Sequence, residues 1–169
     1  VEELFTQGGS LRIYAKHKID KTKLISPRVY KMLDKEIKLG FLDIKYYLNF
    51  DDQVRAIKQN VLNFLIKAKQ DGKTIVGYGA AAKGNTLLNY AGIKPDLLPY
   101  VVDRNPAKQG KFLPGSRIPI VSEDHIRLKR PDFIVILPWN IKEEVMAQLM
   151  YVREWGGRFV TAVPKIEVS

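Results

Sequence analysis

Through residues 1–73 the apolar positions recur at helical spacing. From residue 74 onward they fall in short continuous runs between polar turns. One stretch in the first part departs from this. Ser10–His17, SLRIYAKH, alternates as a strand does and has no evident partner. Ser26-Pro27 reads as an N-cap followed by a first helical residue. Val29, Tyr30, Leu33 and Ile37 line the helix that follows, and Gly40 ends it. Asp51 or Asp52 is expected to cap a longer helix. Its apolar face is Val54, Ile57, Val61, Leu65 and Ala68, widened by Leu62 and Phe64, and Gly72 terminates it.

The second part alternates strand and helix. Thr74–Tyr78, Leu98–Asp103, Ile118–Val121, Phe133–Leu137 and Arg158–Val163 read as strands. Phe133–Leu137 is apolar at every position, as suits a strand covered on both faces. A helix is expected over Gly84–Ala91, and a brief helical turn after Ser122. A further helix opens at Asn140, with Glu143 completing a capping box. Ile141, Val145, Leu149 and Val152 form its inner face, and Gly156 and Gly157 stop it. The alternation predicts an α/β fold with a parallel five-stranded sheet, in the order 3-2-1-4-5, and helices on both faces. The carboxyl end of the first strand is then the topological switch point, where ligands of such sheets bind.

Charge and composition narrow the picture. The net charge of +10 admits nucleic acid, an anionic membrane or an anionic small ligand. The lysines are interleaved with acids and form no run of five like charges, so neither nucleic acid nor membrane is expected as a partner. No stretch approaches the ~20 apolar residues that span a bilayer. VEELFTQGG at the start does not read as a signal peptide. The chain has no cysteine, which excludes disulfides and thiolate metal sites and makes a cytoplasmic location the expectation.

The chemistry concentrates at TIVGYGAAAKGN, Thr74–Asn85. A strand runs into a glycine-spaced turn that opens a helix, and Gly77, Gly79 and Ala82 match G-x-G-x-x-A. Such a turn offers backbone N–H groups and a helix N-terminus to a phosphate. Lys83 and Asn85 stand where the helix begins. Asp103 ends the second strand at the distance where an acid accepts from a ribose hydroxyl. Arg104, Asn105, Lys108 and Lys111 follow it, either as phosphate ligands or as an ordinary polar loop. Trp139 and Asn140 follow the fourth strand, where the ring either stacks on a ligand or packs on the helix behind it. Tyr78 meets a ligand or covers the sheet edge. His17 and His125 have no metal-ligand spacing, and no nucleophile elbow or carboxylate pair occurs. Neither a catalytic residue nor a metal site is expected; the chain reads as a binding domain.

Three ordered stretches carry a resemblance: GYGAAAKGNTLLNY (Gly77–Tyr90), VVDRNPAKQGKFLPGSRIPI (Val101–Ile120) and ILPWN (Ile136–Asn140). They resemble the C-terminal domain of S-adenosylmethionine-dependent sugar C-methyltransferases, which methylate a carbon of a nucleotide-linked deoxyketosugar. Gly8–Arg12 resembles a strand that precedes this domain in the family. The resemblance implies a Rossmann-like three-layer α/β/α domain over residues 74–169. It makes residues 18–73 a helical arm packing on the sheet, and residues 1–17 the tail of a preceding methyltransferase domain. It implies that Gly77, Gly79, Ala80, Lys83, Gly84 and Asn85 cradle the diphosphate and that Asp103, Arg104 and Asn105 line its rim. Tyr78, Trp139 and Asn140 complete the expected substrate-binding set. S-adenosylmethionine and the catalytic base would belong to the preceding domain, and zinc to a cysteine-bearing N-terminal domain. This chain alone would hold no cofactor and be inactive. Its partners would be the nucleotide-diphosphate sugar and the upstream domain. Two other functions fit parts of the sequence: an NAD-binding domain of an oxidoreductase, and a non-enzymatic basic binding module.

Overall fold

The computed structural model describes residues 1–169, apart from the side chain of Gln7, and divides into two compact units, Val1–Gln53 and Val54–Ser169. The first contains a small antiparallel hairpin of β1 (Glu2–Leu4) and β2 (Ser10–Arg12), with Glu2 opposite Arg12 and Leu4 opposite Ser10. This corrects the expected partnerless strand over Ser10–His17: only its first three residues are extended in a ladder, and β1 is their partner. Two helices follow, α1 (Pro27–Lys38) and α2 (Lys45–Leu48). Ser26 caps α1, its hydroxyl accepting from the Arg28 N–H at 3.3 Å. A third helix, α3 (Phe50–Gln70), begins in the first unit and runs into the second. It starts one residue before Asp51, so Asp51 and Asp52 lie inside its first turn, where they favour the helix dipole.

The second unit is a mixed α/β fold. After α3 come β3 (Ile75–Tyr78), α4 (Ala82–Ala91), β4 (Val101–Val102), β5 (Ile120–Val121) and α5 (Asp124–Lys129). They are followed by β6 (Phe133–Ile136), α6 (Lys142–Gln148), β7 (Arg158–Thr161) and β8 (Glu167–Val168). The sheet has six strands in the order β5-β4-β3-β6-β7-β8. All neighbours are parallel except β8, which pairs antiparallel to β7 with Val160 opposite Val168. The expected wholly parallel, five-stranded sheet is corrected by this added edge strand, whose two residues are too few to show alternation.

Side-chain alternation splits the core into two faces. Phe133 and Val135 of β6 pack with Val61, Leu65 and Ala68 of α3 and with Leu88 and Ala91 of α4. Ile134 and Ile136 pack with Ile126 of α5, Val145 of α6, and Leu149 and Val152. Full burial of such a side chain is worth about 1.5–3 kcal/mol. The Phe64 and Phe133 rings meet edge to face, with centroids 5.2 Å apart. The expected capping box at Asn140 is also corrected. Trp139–Ile141 forms a 3-10 turn, and α6 starts at Lys142 with no side-chain cap. It ends at Gln148, and a second 3-10 segment, Met150–Trp155, carries Val152 into the core.

Candidate functional site

The glycine turn leaves the carboxyl end of β3 beside β4 and β6. Three glycines make the approach possible, each for a different reason. A Cβ on Gly77 would lie 2.8 Å from Val101 Cγ2, so the strand packs too closely for a side chain. Gly79 has φ of 88°, and a Cβ there would lie 2.6 Å from Pro138 Cδ. A Cβ on Gly84 would lie 2.5 Å from Leu137 Cβ, so Gly84 lets α4 settle onto the end of β6. Ala82 holds the third position of the motif spacing, while the close helix–strand approach is made at Gly84. The Gly79 N–H donates to Val102 O at 2.7 Å.

Beyond Gly79 the backbone changes role. Ala81 is the N-cap of α4 and offers no side-chain cap, and the first turn holds no acid. The N–H groups of Ala82, Lys83 and Gly84 have no carbonyl one turn back to bond, while the Asn85 N–H donates to Ala81 O at 2.9 Å. With the positive end of the helix dipole they form a donor set suited to an anion. The Lys83 side chain is exposed beside it. The Asn85 amide oxygen accepts from Asn89 Nδ2 at 3.2 Å, and Asn89 Nδ2 also bonds Pro114 O at 2.9 Å, tying α4 to the 113–117 loop.

Asp103 is only 9% exposed, and both carboxylate oxygens are engaged. Oδ2 accepts from the Ala80 N–H at 2.7 Å and from Lys108 Nζ at 3.1 Å; Oδ1 accepts from the Asn105 N–H at 2.8 Å. Lys108 Nζ also donates to Ala80 O at 3.0 Å. Asp103 therefore fastens the glycine turn to its own loop. A ribose hydroxyl read from its spacing would share the carboxylate with these three donors. The signal for this was local: Asp103-Arg-Asn-Pro carries successive Asx turns, and Asn105 Oδ1 accepts from the Ala107 N–H at 2.9 Å.

The remaining predicted residues separate from this group. Tyr78 is buried in the core, and its hydroxyl donates to Glu123 Oε2 at 3.2 Å. Burial first, and then the Glu123 carboxylate, push its phenol well above the ordinary tyrosine range. Arg104 is exposed and joins the same acid, with Nε 3.5 Å from Glu123 Oε2; it also donates to Gln148 Oε1 at 3.2 Å. Trp139 and Asn140 are half-buried in the 3-10 turn after Pro138. Sequence reasoning missed Glu123, which has no motif signal, and gave Pro138 no role although it lies within ILPWN.

A cleft of about 470 Å³ lies at the opposite, amino edge, lined by Lys73, Ile75, Pro95, Leu97, Pro99 and Tyr100 among others. It contains none of the predicted site residues. Ligands of open α/β sheets bind outside the carboxyl ends of the strands. The glycine turn is accordingly the candidate site, although the roomier cavity is elsewhere. Among the described residues no group of three or more His, Asp or Glu side chains is placed to hold a metal ion. No helix is long and apolar enough to cross a membrane.

A family model described as the C-methyltransferase C-terminal domain matches residues 5–164. The chain belongs to that family. Among curated proteins, the C-methyltransferase NovU of Streptomyces niveus is 33% identical over 161 residues. The match covers 95% of this chain and 38% of the relative, so the chain spans well under half the relative's length. Family membership makes it a domain of the kind described as C-terminal in C-methyltransferases. Its candidate site contains N–H donors and exposed cations.

Proposed function

We propose that this chain anchors the substrate of an S-adenosylmethionine-dependent C-methyltransferase, the substrate being a ketosugar linked to a nucleoside diphosphate. The carrying observation is the pair of exposed residues Ala82 and Lys83, whose N–H groups open α4 without a partner one turn back, at the carboxyl edge of the sheet of a C-methyltransferase C-terminal domain. In this reading the frame is Rossmann-like and the diphosphate lies against the α4 N-terminus. Lys83 supplies a charge-assisted hydrogen bond, and the 103–111 loop and Trp139 border the sugar or base. Binding so far from the reacting carbon contributes by positioning it.

The methyl donor and the base belong to the portion that precedes this domain in the longer relatives. When bound there, S-adenosylmethionine supplies an electrophilic methyl group. Asp103 favours this reading over an NAD site, because its carboxylate already accepts from Ala80, Asn105 and Lys108, and a ribose diol would have to share it with them. The isolated chain is expected to yield no methylated product.

Isothermal titration tests the reading. Thymidine diphosphate and a thymidine-diphosphate sugar are expected to bind, and NAD to bind at least tenfold more weakly. Lys83→Ala should weaken the diphosphates by about 3- to 10-fold, from a charged hydrogen bond in a solvated setting. Preference for NAD would favour the oxidoreductase reading instead.

A further inference from the structure

The first unit is assembled with its most amphipathic helix facing the wrong way for a self-contained fold. The hairpin holds the charged side of α1: Arg28 Nη1 lies 3.1 Å from Glu2 Oε1, and Lys35 Nζ lies 2.7 Å from Glu3 Oε1. Arg28, Lys31, Met32 and Lys35 share one wall of a small pocket with Val1 and Glu3. Tyr30, Leu33 and Ile37, at i, i+3 and i+7, fall on the opposite side of the helix. They are 60%, 50% and 57% exposed, and α1 buries no residue at all. Leu42, Ile44, Leu48 and Phe50, which follow in sequence, are exposed as well. An apolar helix stripe left exposed in this way marks an interaction site.

We infer that the Tyr30–Leu33–Ile37 stripe of α1 is the docking surface for the portion of the polypeptide that precedes this domain in C-methyltransferases. This rests on reading the chain as the C-terminal part of a longer enzyme, and not on nucleotide binding at the glycine turn. Two observations select the occupant. The match covers only 38% of the relative, leaving most of that protein to pack somewhere, and the family is a C-terminal domain whose first elements are the ones with the bare stripe.

The chain has no cysteine, which permits a clean labelling test. Leu33→Cys, Ile37→Cys and, as a control in the second unit, Leu128→Cys are made singly in residues 1–169 and in the full-length gene product. Maleimide labelling at each position is followed by peptide mass. In residues 1–169 all three should label at the rate of an open thiol. In the full-length protein positions 33 and 37 should slow at least tenfold, while position 128 keeps its rate. Hydrogen exchange of the α1 amides, in the unsubstituted proteins, should show the same contrast. Equal rates at positions 33 and 37 in both forms would overturn the proposal. So would slow labelling of the short chain that recovers on dilution, since a second copy would then be the occupant. Thymidine diphosphate affinity is measured separately and can fail without affecting this outcome.

Discussion

Asp103 shows how a residue at a motif position can also fasten the turn beside it. Its place at the end of β4 was legible in the sequence, but the direction of its carboxylate was not, because three donors within its own neighbourhood compete for it. Removing it strands the half-buried Ala80 N–H and the Lys108 ammonium beside it, and leaves the Asn105 N–H to water. Asp103→Ala should cost about 1–3 kcal/mol of stability, the usual penalty for unpaired buried groups. Urea unfolding measures this, and an unchanged midpoint would mean that the clamp is idle. Gly84 makes a second residue-scale case. Alanine is the better helix former by about 1 kcal/mol, yet a Cβ at 2.5 Å from Leu137 Cβ forces α4 off β6. Overpacking of this kind costs roughly 1–3 kcal/mol. Gly84→Ala is therefore expected to lower the thermal midpoint; a rise would show that the helix moves freely.

Among the elements, β3 and β6 were readable because each is a continuous buried run, and the α3 stripe because it keeps a helical period into the core. β1 and β8 were not, since two or three residues carry no period. The expected strands at Leu98–Asp103 and Ile118–Val121 shorten to two ladder residues each, although Leu98 and Ile118 are buried. Apolar burial was legible there, but ladder length was not. The starts of β3 and β6 are joined by Asp132, which accepts from the Thr74 N–H at 2.8 Å and from its hydroxyl at 2.7 Å. Those two bonds, more than the nearby Lys73 ammonium, hold the Asp132 carboxyl below its ordinary value. Its contribution to stability is complete above the unfolded carboxylate range, near pH 4, and is lost as pH falls through the lowered native value. Asp132→Asn should reduce stability at pH 7 and flatten the loss on acidification. An acid limb as steep as that of the unsubstituted protein would contradict the assignment.

For the molecule as a whole, the pattern of runs and turns carried the α/β class and the position of the switch point, and the ordered motifs carried the family. The division at Gln53/Val54 was less accessible, because α3 crosses it without a break in helical period. The candidate site was legible as a cluster of loops at one sheet edge. Its internal division was not, because Tyr78 and Arg104 meet at Glu123 while Ala80, Asp103 and Lys108 meet at the turn, and residue order alone does not place them on different sides. The most direct measurement is an amide NMR titration of the 169-residue chain with thymidine diphosphate. Diphosphate held at the α4 N-terminus should shift Ala80–Asn85 most, with smaller changes in the 103–111 loop. Shifts confined to the amino-edge cleft around Leu97 and Tyr100, or no shifts at millimolar ligand, would contradict it.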